Sequence, residues 1–184
     1  IKLLSPRAML ARLENRLEFL TGGARELPAR QQTLRGAIAW SYDLLNENEQ
    51  RLFRQLAVFV GGCTLDAVES VSHGHQGYNS FLDQFASLLD KSLLREVVGL
   101  SDEPRCVMLE LLREFGLEQL KASGEQEITR ERHANFFLTL AERAESKLES
   151  MDQLEWINRM EQEHDNLRAA LEWSKTADGA GDLC

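Results

Sequence analysis

The sequence predicts a mainly α-helical protein with one small β-hairpin past its midpoint. Three observations carry this. Apolar residues recur at three- and four-residue spacing along most of the chain. Residues suited to helix caps stand ahead of most of these stripes. The period changes once, at "LLREVVG" and "RCVML", two short β-branched or apolar runs around the turn-rich "GLSDEP".

The elements follow in order. Ser5 can cap a first helix, Pro6 suits its first turn, and Met9, Leu10, Leu13, Leu17 and Leu20 form one stripe. Gly22 and Gly23 end it. A linker through Pro28 leads to Thr33, the cap of a second helix running to about Leu45. Its stripe is Leu34, Ala37, Ile38, Ser41, Leu44 and Leu45. Trp40 lies about 120° from the centre of that stripe, which gives the helix a second apolar face. Asn46 and Glu49 have the spacing of a capping box for a third helix, with Leu52, Phe53, Leu56 and Val60 inward and Gly61-Gly62 as its breaker. Thr64 caps a short fourth helix through Val71, and "SHGHQG" reads as a loop. A fifth helix from about Tyr78 buries Phe81, Phe85, Leu88 and Leu89.

After the hairpin, Leu109, Leu112, Phe115, Gly116 and Leu120 return to helical spacing. Helices, hairpin, then a packed helix is the order of a winged-helix domain. From Glu127 the chain is helical again, first along His133, Phe136, Phe137, Leu140, Ala144 and Leu148. Asp152 with Glu155 opens a further helix, striped by Ile157, Met160, His164, Leu167 and Leu171, and "TADGAGDLC" reads as a loop. The expected architecture is a helical subdomain (1–32), a winged-helix-like domain (33–123) and the start of a TPR-like helical repeat (124–184).

Composition narrows the class. Among 184 residues, 43% are hydrophobic and 28% charged, the balance of an ordinary globular protein. No apolar run approaches the ~20 residues that cross a bilayer, and "IKLLSPRAML" lacks a signal-peptide core, so a cytoplasmic protein is expected. Cys63, Cys106 and Cys184 are distant and odd in number, which suggests two buried thiols and one tail thiol rather than disulfides or zinc. The net charge of −9 is uneven: residues 1–45 carry seven bases and four acids, whereas 46–127 carry seven and fourteen.

Catalytic signatures are absent from the sequence. It holds no GxxxxGK[ST], GxGxxG or GxSxG. His73 and His75 lack a third metal ligand, His164 reads as a satisfied buried histidine, and Glu110 and Glu114 as solvated carboxylates. No catalytic, cofactor-binding or metal-binding residue is assigned, and no enzyme is expected. A groove-reading helix needs cations or amides; "YNSFLDQFASLLDKS" offers Asp83, Asp90 and only Lys91, and the wing "GLSDEPR" two acids and one arginine. Direct nucleic-acid contact is therefore not expected from this reading, and neither is a membrane.

"LLSPRAMLARLENRL", "LTGGARELPARQQTLRGAIAWSYDLL", "EQRLFRQLAVFVGG" and "EHDNLRAALEW" resemble the middle of bacterial STAND-type regulatory ATPases, which include large LuxR-type transcriptional regulators with an NB-ARC-like core. The resemblance implies a fragment of a longer protein, with residues 1–32 ending the lid subdomain of an ATPase module upstream that binds ATP or ADP. It implies a non-catalytic relay between helical sensor repeats and that nucleotide-binding domain. Related proteins place a Met-His-Asp triplet after the wing, with the histidine on a phosphate. Here Met108-Leu109-Glu110 stands there, so Leu109 replaces the nucleotide-sensing histidine, and Met108 and Leu109 are expected as core residues. Arg25, Arg30, Arg35 and Trp40 are candidate interdomain contacts, or else Trp40 closes an internal core and the arginines are solvated. The alternatives are a DNA-binding winged helix and a helical protein-interaction adaptor.

Overall fold

The computed structural model describes residues 34–72, 78–99, 104–147 and 151–181. The expected helix Ser5–Leu20, the "SHGHQG" histidines, Leu148 and Cys184 lie outside them. Helix α1 (Leu34–Asp43) buries Ile38 and Tyr42. Helix α2 (Glu47–Leu56) starts at the capping box its sequence announces. The Asn46 side chain accepts from the N–H groups of Asn48 and Glu49 at 3.1 and 3.0 Å, and Glu49 accepts from the Asn46 N–H at 2.9 Å. The helix stops at Leu56 with Ala57 as its cap, ahead of the glycine pair expected to break it.

Gly61 and Gly62 instead turn the chain into strand β1 (Cys63–Thr64), an element too short to leave a pattern. Gly62 has φ +103°, and a Cβ there would sit 2.9 Å from the Cys106 carbonyl oxygen, so only glycine fits. Helix α3 (Leu65–Ser72) is capped by Thr64, whose hydroxyl accepts from the Ala67 N–H at 3.3 Å. Helix α4 (Tyr78–Asp90) follows. Ser92, at φ +58°, bends the chain out of α4 into strand β2 (Arg95–Val98), which pairs antiparallel with β3 (Pro104–Val107). The sheet order is β1-β3-β2, with Cys63 opposite Cys106 and Thr64 opposite Arg105.

Helix α5 (Glu110–Ala122) crosses α2 closely, because Gly116 faces Ala57 and Phe53 and any Cβ there would lie 2.8 Å from that of Ala57. Phe53, Leu88 and Leu120 are fully enclosed. Tyr42 joins α1 to this core, its ring 5.5 Å from those of Phe53 and Phe115. This mostly helical body with a three-stranded antiparallel sheet is a winged helix followed by further helices.

Helix α6 (Gln126–Lys147) packs between α3 and the last helix. Phe59, from the turn after α2, meets His133 and Phe137 of α6 at 5.2 and 6.3 Å, so α6 completes the winged-helix core. Three expectations for the C-terminal region fail. Asp152 makes no side-chain cap, and the single helix expected after it divides into α7 (Gln153–Gln162) and α8 (His164–Gly181), joined at Glu163. The "TADGAG" segment expected as loop continues α8. Ile157, His164 and Leu171 are exposed, while Glu163, Asn166 and Ala170 face inward. Two of these buried side chains, Glu163 and Asn166, are polar, because a charged partner, Arg105, lies on β3.

Candidate nucleic-acid interface and its joint to the C-terminal helices

The order α2, β1, α3, α4, β2, β3 places α3 and α4 as a helix-turn-helix pair with the β2–β3 hairpin as a wing. In such a module the second helix enters the major groove. On α4, Asp83, Ala86 and Asp90 are exposed, and Gln84 donates to Ser80 at 3.1 Å. Lys91, just past the helix, is held by Glu49 at 2.7 Å, yet its side chain remains 40% exposed. Burial pushes the Glu49 carboxyl up, but Lys91, the Ser87 hydroxyl and the Asn46 N–H outweigh it and hold it below the ordinary value. Arg95 and Glu96 are exposed at the start of the wing. The interface thus offers two accessible cations, short polar side chains and three exposed carboxylates.

Behind the wing lies a buried polar joint. Alternate residues of a strand face opposite ways. Cys106 and Cys63 join the apolar core, whereas Arg105 meets the α7–α8 junction. The Arg105 guanidinium pairs with Glu163 through Nη1 to Oε1 and through Nη2 to Oε2 at 3.2 Å, and Nη2 also donates to the Gly62 carbonyl at 3.2 Å. Asn166 donates to that carbonyl at 2.9 Å and to Glu163 at 2.8 Å, and accepts from the Val60 N–H at 2.7 Å. Arg105, Glu163, Asn166 and Gly62 are all buried and hydrogen-bonded, the condition under which an interior ion pair is tolerated. A second joint ties α2 to the α5–α6 corner, where Arg54 donates to Glu125 at 2.9 Å and to the Tyr42 hydroxyl at 2.8 Å.

His133, also buried, has its pKa lowered to about 4, chiefly by burial and further by the Arg130 charge, against an opposing contact with Asn166. Burial pushes the Cys63 and Cys106 thiols up, the latter to about 11.

The residues singled out from sequence fall as follows. Arg25 and Arg30 lie outside the described residues. Arg35 donates to Glu118 of α5 at 3.1 Å and places its guanidinium 6.0 Å from the Phe115 ring. Trp40, also on α1, is 37% exposed. Leu109, expected in the core, is 48% exposed at the start of α5, while Met108 packs partly inward. His164 is exposed, and among the described residues the buried histidine is His133. Sequence reasoning missed Arg105, Glu163 and Asn166. Glu163 and Asn166 signalled only as polar residues at helical spacing, which reads as a solvated face until the partner on β3 is known.

Residues 45–121 match the family model of the winged helix-turn-helix domain. The chain is 40% identical over 176 residues to proteins of Mycobacterium bovis and Mycobacterium tuberculosis provisionally described as HTH-type transcriptional regulators. That match covers 95% of this chain and 20% of each relative, so the chain spans a fifth of their length. An uncharacterized Mycobacterium bovis protein is 35% identical over 126 residues, 66% of this chain and 31% of its own. No solved structure matches.

These findings overturn the expectation of no direct nucleic-acid contact, since a winged helix-turn-helix domain in a chain similar to such regulators points to DNA. The sequence argument weighed the charge of one helix. Protein–DNA bonding at phosphates also uses backbone N–H groups and uncharged polar side chains beside Arg and Lys. The resemblance to STAND-type ATPases rests on the sequence motifs alone. No helix among the described residues is long and apolar enough to cross a membrane.

Proposed function

We propose that this chain is the DNA-contacting winged-helix region of a cytoplasmic HTH-type transcriptional regulator, with no catalytic role of its own. The observation that carries the reading is the helix-turn-helix and wing assembled over the residues that the domain family matches. Contact runs through α3–α4 and the wing, with Lys91 and Arg95 as phosphate partners and the amides and hydroxyls of α4 beside them. Asp83 and Asp90 limit the affinity, so binding by this region is weak and dominated by few phosphates. Two neutralised phosphates give a slope of log affinity against log salt of about −2. Fluorescence anisotropy with duplex DNA at two salt concentrations tests this: Arg95→Ala should weaken binding and flatten the slope. Absence of binding at both salt concentrations would refute it.

A second reading is favoured by the Arg105–Glu163–Asn166 joint. The helices α6–α8 act as a relay, passing displacement of the C-terminal region to the wing strand β3. In its finer form, supported by the motif resemblance, the longer polypeptide is a STAND-type ATPase using ATP or ADP. Residues 33–123 are then its winged helix, 124–184 begin TPR-like repeats, and Arg25, Arg30, Arg35 and Trp40 contact the ATPase module. DNA affinity of the full-length protein with ATP and with ADP, in wild type and Glu163→Gln, tests the relay. Identical responses in both proteins would count against it.

A further inference from the structure

A cleft of about 470 Å³ opens between α3, α6 and α7, away from the wing, within the ~300–1,000 Å³ range of small-molecule sites. Arg132, Asn135, Phe136 and Arg143 line it from one face of α6, Arg159 from α7, and Asp66 from α3. Arg132 donates to the Val71 carbonyl at 3.5 Å, and Arg159 lies 5.5 Å from the Trp156 ring. Among the described residues, none of these three guanidiniums has an ion-pair partner. That is notable in a chain with 30 acids against 21 bases, where carboxylates are in excess. Asp66 supplies one negative charge to the rim against three positive ones. Guanidinium groups hold phosphates and carboxylates through paired N–H donors, and Phe136 gives the cleft an apolar wall.

We propose that this cleft binds a small anion carrying two or more phosphate or carboxylate groups. Arg132, Arg143 and Arg159 hold it. Because α3 belongs to the helix-turn-helix pair and α6 and α7 to the C-terminal helices, an occupant bridges the two. This site is independent of the DNA reading, and its test contains no DNA.

Trp156 beside Arg159 is a built-in reporter. In a Trp40→Phe, Trp173→Phe background, the whole chain is titrated with pyrophosphate and, separately, with citrate, against sodium chloride at matched ionic strength. The expected result is a saturable change in Trp156 emission with one or both anions, the stronger one marking the phosphate or carboxylate preference. Arg143→Gln, an exposed position, should weaken that binding at least tenfold, while Arg168→Gln, whose parent side chain pairs with Glu172, should leave it unchanged. A rise in thermal midpoint with the same anion, lost in Arg143→Gln, provides a second readout. The proposal is overturned if neither anion gives a saturable response beyond the salt control, or if Arg143→Gln binds within twofold of the parent.

Discussion

Arg105 on β3 and Glu163 at the α7–α8 junction form an ion pair whose side chains are each 4% exposed, bridging 58 positions of sequence. Removing one member of such a pair leaves an uncompensated interior charge, at a typical cost of ~3–5 kcal/mol. Glu163→Ala should therefore unfold at markedly lower urea than wild type. Replacing both members with leucine should cost much less than the single change, and a double-mutant cycle from urea midpoints measures the difference.

Gly116 allows α5 to approach α2. A Gly116→Ala change gains about 1 kcal/mol of helix propensity, but its Cβ would lie 2.8 Å from that of Ala57. Overpacking typically costs ~1–3 kcal/mol, so net destabilisation is expected. Adding Ala57→Gly should recover part of the loss in thermal melts, since it removes the atom struck.

His133 should make the fold sensitive to mild acid. Its folded pKa of about 4 lies below the ordinary 6.5, so the unfolded chain takes up the proton first. The stabilisation from keeping it neutral is fully present above pH 6.5 and fades as pH falls towards 4, by up to about 3 kcal/mol. Glu49 and Glu125, whose pKa values are lowered, add acid sensitivity below the ordinary carboxylate range. Denaturation of wild type and His133→Gln between pH 7 and 5 isolates the histidine: the variant should be less stable at pH 7 and lose less on acidification.

Cys63 and Cys106 should be inert to a thiol-specific aromatic disulfide reagent in the native protein, since both are buried and their thiolates disfavoured. In a Cys184→Ser background, reaction should begin only as the chain unfolds. Stoichiometric labelling in native buffer would show that the sheet opens.

Much of the fold was legible because its signals are local. Asn46 and Glu49 stand three apart and cap α2 as their spacing says, and the change of period at Arg95 and Cys106 marks the wing. The failures come from partners distant in sequence. Glu163 and Asn166 are buried only because Arg105 meets them, so the expected stripe is right at Met160 and Leu167, which pack partly inward, and wrong at Ile157, His164 and Leu171, which are exposed. His133 is buried as its place on the α6 stripe says, in the aromatic pocket of Phe59 and Phe137, whereas His164, expected to be buried, is exposed. Strand β1, two residues long, has no period to read. For the site, the acidic face of α4 was visible but overweighted, since charge alone does not decide whether a helix-turn-helix meets DNA.

The joint behind the wing also bears on what can be inherited as a unit. A gene segment that carried residues 45–121 into a new context would bring Arg105 without the carboxylate and amide that receive it. It would also strip Phe59 of the ring from α6 that covers it. Recombination ending at α5 would therefore start with an interior cation and an exposed phenyl face, both needing new cover in the host. The portable unit extends at least to Asn166, about forty-five residues past the end of the winged helix-turn-helix match at residue 121.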